Sequence, residues 1–118
     1  MVELGKIQEF QEKFDKAHGW CWSSPKDIHE KLSFLQYVTV ALLGELGEFA
    51  NILKKIVRNY NSLHIDPDEK SFEMLKEELV DLFIYLLIAA NILHMDLEKV
   101  YFKKMKFNEK RFKKYETG

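Results

Sequence analysis

The sequence predicts an all-α protein, and three observations carry that prediction. Its 118 residues include only five glycines and two prolines, too few turn formers for the many short strands of a β fold. Hydrophobic residues make up 47% of the chain and charged residues 31%, enough for one buried core and unlike a disordered segment. Apolar residues recur every three or four positions over long unbroken stretches, the period of an amphipathic helix.

Four helices are expected in order. Residues 3 to 17 place Leu4, Ile7, Phe10 or Gln11, and Phe14 on one stripe, and the helix ends near His18-Gly19. The next stretch, GWCWSSPKD, holds two tryptophans in a predicted loop, with Ser24 as N-cap and Pro25 at the first position of the second helix. From about Asp27 to about Asn59 the only interruptions are Gly44 and Gly47, each a cost of about 1 kcal/mol against Ala; the two glycines mark places where a helix or substrate can approach closely. The segment 59 to 70, NYNSLHIDPDEK, has the turn chemistry of a loop. A third helix spans about 67 or 68 to 94, and a fourth about 97 to 115, with Asp96 as its N-cap and Lys99 where a capping box carries Glu. No repeat or linker divides the chain, which reads as a single domain over 1–118.

The third helix carries LVDLFIYLLIAANIL, 79 to 93. It is too short and too polar to span a membrane, yet apolar nearly all round, which predicts that its spare face packs against another subunit. The alternative is the central helix of a monomer. The formal net charge of −1 gives no electrostatic case for nucleic acid or an anionic membrane. Cys21 is the only cysteine, so neither an intrachain disulfide nor a Cys-based zinc site is available. With a start, MVELGKIQEF, that lacks the pattern of a secretory leader, the expected location is the cytoplasm.

The chemistry-bearing feature is acidic. Glu45 and Glu48 sit three apart in ALLGELGEFANILKK, on a stripe with Ala41, Ile52 and Lys55. Glu78 and Asp81 repeat the spacing in EELVD, on a stripe with Met74, Tyr85 and Ile88. None of the four has a lysine at i+4; those positions are Phe49, Ile52, Leu82 and Tyr85. If the two helices pack antiparallel the four carboxylates converge, and such a cluster is strongly unfavourable unless a cation neutralises it. An all-oxygen donor set selects Mg²⁺, or Mn²⁺, over softer metals.

These residues resemble the MazG-like all-α nucleoside triphosphate pyrophosphohydrolases. The matching pieces are LLGELGEFA (42 to 50), LKEELVDLFIYLLIAA (75 to 90), MDLEKV (95 to 100) and KMKFNEKRF (104 to 112), with the likeness greatest to the small dCTP pyrophosphatase branch. The resemblance implies a four-helix bundle assembled as a dimer or tetramer, Mg²⁺ held by Glu45, Glu48, Glu78 and Asp81, and hydrolysis of a nucleoside triphosphate to monophosphate and pyrophosphate. Physically, a bound divalent cation neutralises the triphosphate and activates a water for in-line attack; Glu48 is the expected general base. The gap between the two acidic motifs is at the long end for the family, implying an extended loop at 59 to 70.

Substrate contacts are expected elsewhere. KKMKFNEKRFKK, 103 to 114, has seven basic residues against one acid; Lys104, Asn108 and Arg111 share one face, and the resemblance assigns them to substrate. The other lysines read as a solvated helix end. Lys55 shares the acidic stripe and is expected to reach a phosphate, although the dCTP branch carries an aromatic about there. Tyr85 matches that branch's base-pocket tyrosine. Trp20 and Trp22 are expected either to stack on a base or to pack the loop. Asn91 reads as a core or interface polar group, and the four histidines, with no metal-ligand spacing, as structural or surface residues. Three alternatives remain: a phosphoribosyl-ATP pyrophosphatase; a di-iron bundle, for which the usual Glu-x-x-His pairs are missing; and a non-catalytic oligomerisation module.

Overall fold

The computed structural model describes residues 3–117; Met1, Val2 and Gly118, the ends of the 1–118 domain assignment, lie outside them. Four helices make the fold: α1 (Leu4–Ala17), α2 (Ile28–Leu63), α3 (Glu69–Ile92) and α4 (Leu97–Arg111), with a 3₁₀ turn after them at Lys113–Tyr115. Among the described residues there is no strand. The all-α expectation holds, and most boundaries fall within a few residues of those read from the sequence.

Two boundaries differ for identifiable reasons. α2 begins at Ile28 rather than behind Ser24-Pro25, because Asp27 is the N-cap: its carboxylate accepts from Glu30 N–H at 2.8 Å. Glu30 reaches back to Lys26 N–H at 3.1 Å, so local capping by an Asp-x-x-Glu pair prevails over the Ser-Pro signal. At its other end α2 runs through Asn59, Asn61 and Ser62 and stops at Leu63, where His64 adopts a left-handed conformation (φ 55). The extended loop expected at 59 to 70 is therefore only His64 to Asp68; the extra length lies in the helix. Asp68 and Asp96 cap α3 and α4 through Ser71 N–H (2.8 Å) and Lys99 N–H (3.1 Å).

α2 and α3 form the long hairpin, and α1 packs across α3 and α4. At 1.5 Å per residue α2 is about 54 Å long, matching the longest dimension of the molecule, 54 Å. The core is small: Val38, Ile88 and Ile92, with Trp22, Phe34, Leu35, Leu42, Ile84 and Tyr85 packed around them. α3 and α4 meet at 99°.

α1 docks with its polar stripe inward. Gln8, Gln11 and Asp15 face the molecule, whereas Ile7, Phe10 and Phe14 are exposed, Phe10 at 69%. Gln8 is the latch. Its Nε2 donates to Asn91 Oδ1 (3.0 Å) and to the Met95 carbonyl (2.7 Å), and its Oε1 accepts from Leu97 N–H (3.2 Å). Asn91 is thus a buried core partner of α1, and the α3–α4 corner is fixed to α1 by one side chain. Gly44 and Gly47 face open space: a Cβ on either meets nothing within 4 Å, so neither serves a close approach within the chain. No single helix among the described residues is long and apolar enough to cross a membrane.

Candidate active site

The hairpin register brings the acids together. Glu45 lies about five turns before the end of α2, and Glu78 and Asp81 about three turns into α3, so the last turns of α2 overhang the start of its partner. Glu45, Glu78 and Asp81 each offer a carboxylate oxygen, all within 4.8 Å of one another. Glu48 is exposed one turn further along α2 and stands outside this trio, though its charge reaches Glu78. None of the four forms an ion pair among the described residues.

Glu78 records the strain of the arrangement. Its carboxyl is pushed from the ordinary 4.5 up to about 7, first by its hydrogen bond with Glu45, then by burial, then by the charges of Glu45, Asp81 and Glu48. With both carboxylates ionised, Oε2 of Glu78 is buried and has no donor. A water, a proton shared with Glu45 or a cation relieves it, and with three oxygens so close and no nitrogen or sulfur in the set, the residues fit a hard divalent cation.

An aromatic cavity opens from the acids. It measures about 540 Å³, within the range that holds small-molecule ligands, and it is bounded by Glu45 and Asp81 on one side and by Trp20, Trp22, Tyr37 and Tyr85 on the other. The tryptophan loop is held in place from several directions. Asp15 C=O accepts from Trp20 N–H (2.8 Å), and Lys16 C=O from Gly19 N–H (3.1 Å); this C-terminal cap needs the left-handed backbone of Gly19 (φ 89). Ser23 hydroxyl donates to Glu12 (2.7 Å), and His94 Nε2 donates to the Ser23 carbonyl (2.6 Å). Trp22 packs edge-on to Phe34 at 5.1 Å and stacks with Tyr37 at 5.7 Å, while Trp20 remains 53% exposed. Trp22 therefore packs the loop, and both tryptophans line the cavity. His18 and His94 are structural, as expected.

Residues 34–115, well over half the chain, match the MazG nucleotide pyrophosphohydrolase domain. The chain belongs to that family. The MazG match spans both acidic motifs, and it does so without selecting the dCTP branch. A further similarity is to the Gene 37 protein of Mycobacterium phage L5, 35% identical over 71 residues, which are 60% of this chain and 60% of that protein. The chain thus spans less than two thirds of that relative's length. No solved structure gives a significant match. MazG domains are generally pyrophosphohydrolases and typically depend on a divalent metal, which agrees with the carboxylate trio in this one.

The remaining expected substrate residues of the MazG domain stand apart from the cavity. Lys55 is exposed on α2. On α4, Lys104 lies over the Phe107 ring (5.0 Å), Asn108 contacts Met105 sulfur (3.9 Å) and Arg111 lies over Phe112 (4.9 Å). Among the described residues no lysine or arginine lines the cavity. Sequence reasoning missed Gln11, Phe14, Asp15 and Tyr37, which do line it; on α1 one signal was a polar stripe, Gln8-Gln11-Asp15, recurring at helical spacing.

Proposed function

We propose that this domain hydrolyses nucleoside or deoxynucleoside triphosphates to the monophosphate and pyrophosphate, as a nucleotide-pool sanitation enzyme of the cytoplasm. The observation that carries the reading is the junction of a carboxylate trio with an aromatic cavity: one half suits metal-bound phosphates, the other a stacked base. Glu45, Glu78 and Asp81, with Glu48 beside them, would hold Mg²⁺ or Mn²⁺. When bound, the cation supplies charge neutralisation of the triphosphate and a more acidic water. Glu48, being outside the tight trio and exposed, is the carboxylate least engaged by the cation and so the one to take the proton of the attacking water. Trp20 and Tyr85 orient the base, and Lys55, Lys104, Asn108 and Arg111 supply phosphate contacts.

The last three residues lie on α4, which packs chiefly on α1 and contributes none of the cavity lining; this supports a working unit larger than one chain. A compact monomer of 14.1 kDa exposes about 6,700 Å², against 9502 Å² here. Its radius of gyration, 18.4 Å, likewise exceeds the roughly 13–14 Å of a compact chain this long. The surplus is apolar: Leu43, Leu46, Leu79, Phe83 and Leu86 line one groove, and Ile7 and Phe10 are exposed on α1. A homodimer or homotetramer would cover these faces and bring α4 of one subunit within reach of another's acids.

The test is turnover of a panel of canonical and modified nucleoside triphosphates with Mg²⁺, measuring monophosphate and pyrophosphate. Paired release of the two supports the reading. Diphosphate with orthophosphate, or no turnover of any nucleotide, contradicts it.

A further inference from the structure

Asp15 is an acid held at a disadvantage. It is 4% exposed, and it sits in the last turn of α1, the negative end of the helix dipole. Gln11 Nε2 donates to its Oδ1 at 3.1 Å; its Oδ2 is buried with no partner. Burial pushes its carboxyl up from the ordinary carboxylate range, against the smaller opposing effects of Gln11 and His18. It caps nothing with its side chain and forms no ion pair among the described residues. A buried carboxylate oxygen without a protein partner is paired by a water, an ion or a ligand, and a carboxyl perturbed by burial in a cleft marks a candidate binding group.

Its place supplies the ligand. Asp15 lines the same cavity as Trp20, Trp22, Tyr37 and Tyr85, beside the rings that would hold a base. We infer that Asp15 reads the base edge: its carboxylate accepts a hydrogen bond from the exocyclic amino group of cytosine, adenine or guanine, and disfavours the keto edge of uracil or thymine. This rests on the nucleotide reading above. Gln11 is the positioning residue, holding the Asp15 carboxylate through Oδ1 at the cavity wall. Uracil differs from cytosine at this edge by presenting a carbonyl oxygen, and an acceptor facing an ionised carboxylate leaves both groups unpaired and repelling. Sites that hydrogen-bond a substrate group discriminate strongly against analogues lacking it.

The pair dCTP and dUTP isolates the contact. In the wild-type chain kcat/KM for dCTP should exceed that for dUTP by about 10-fold or more, and Asp15→Asn, which offers an amide donor in nearly the same volume, should bring the ratio close to 1 or invert it. Binding of dCMP and dUMP, read by quenching of the tryptophan fluorescence, repeats the comparison without catalysis. Preferential dCMP binding without turnover would support the base contact while removing the hydrolysis reading. Equal treatment of the two bases by the wild type, no binding of either monophosphate, or an unchanged ratio in a folded Asp15→Asn variant would overturn the assignment.

Discussion

Glu78 makes the proposed metal site testable at the scale of a single residue. Its carboxyl titrates at about 7 in the folded chain, against an ordinary 4.5. Between those values the folded state binds more protons than the unfolded one, so stability of the metal-free protein falls as pH rises from about 5 to about 7 and is lowest above that. Thermal unfolding in a chelator should show a melting temperature that declines over this interval, and Mg²⁺ should restore it at neutral pH. Glu78→Gln removes the repelling charge: the metal-free variant should melt higher than wild type at pH 8 and respond little to Mg²⁺. Its kcat should fall on the order of 10²-fold or more, because the cation that stabilises the transition state is held less well.

Between elements, capping and latching decide where the site residues land. Asp27→Ala should cost about 1 kcal/mol in denaturant unfolding, whereas Ser24→Ala should be close to neutral, because Asp27 and not Ser24 caps α2. Gln8→Ala removes the partner of Asn91 Oδ1, the Met95 carbonyl and Leu97 N–H together; a loss of about 1–3 kcal/mol is expected, with weaker nucleotide binding because α1 carries Gln11 and Asp15 into the cavity. Elements of this kind were partly legible in the sequence. The E-x-x-E and E-x-x-D spacings put each acid pair on one stripe of its helix, while only the hairpin geometry brings Glu45, Glu78 and Asp81 together and leaves Glu48 outside, and Asp96 announced its own cap. Ser24-Pro25 misled because two capping signals stood three residues apart and only geometry chooses between them. The Asn-rich end of α2 misled because turn propensity is weaker than the continuation of a helix already formed. The orientation of α1 was illegible for a deeper reason. An amphipathic pattern says that one face avoids water, not whether its cover comes from the same chain, and here Ile7 and Phe10 stay exposed while Phe14 borders the aromatic cavity.

At the scale of the whole molecule, those uncovered faces predict assembly. Light scattering should give a mass of two or four times 14.1 kDa, and Phe83→Glu, placed in the groove with Leu46 and Leu79, should shift it toward the single chain. A particle of 14.1 kDa for the wild type would contradict that expectation. If α4 serves a neighbour's acids, Arg111→Ala and Glu78→Gln, each with little activity alone, should regain part of it when mixed and allowed to exchange subunits. The central claim concerns which bond is broken. Turnover of a nucleoside triphosphate with Mg²⁺ in ¹⁸O-labelled water reads it directly: hydrolysis at the α phosphorus predicts the label in the monophosphate and none in pyrophosphate, with Glu78→Gln inactive. Label in pyrophosphate, release of orthophosphate, or the same turnover from Glu78→Gln would contradict it.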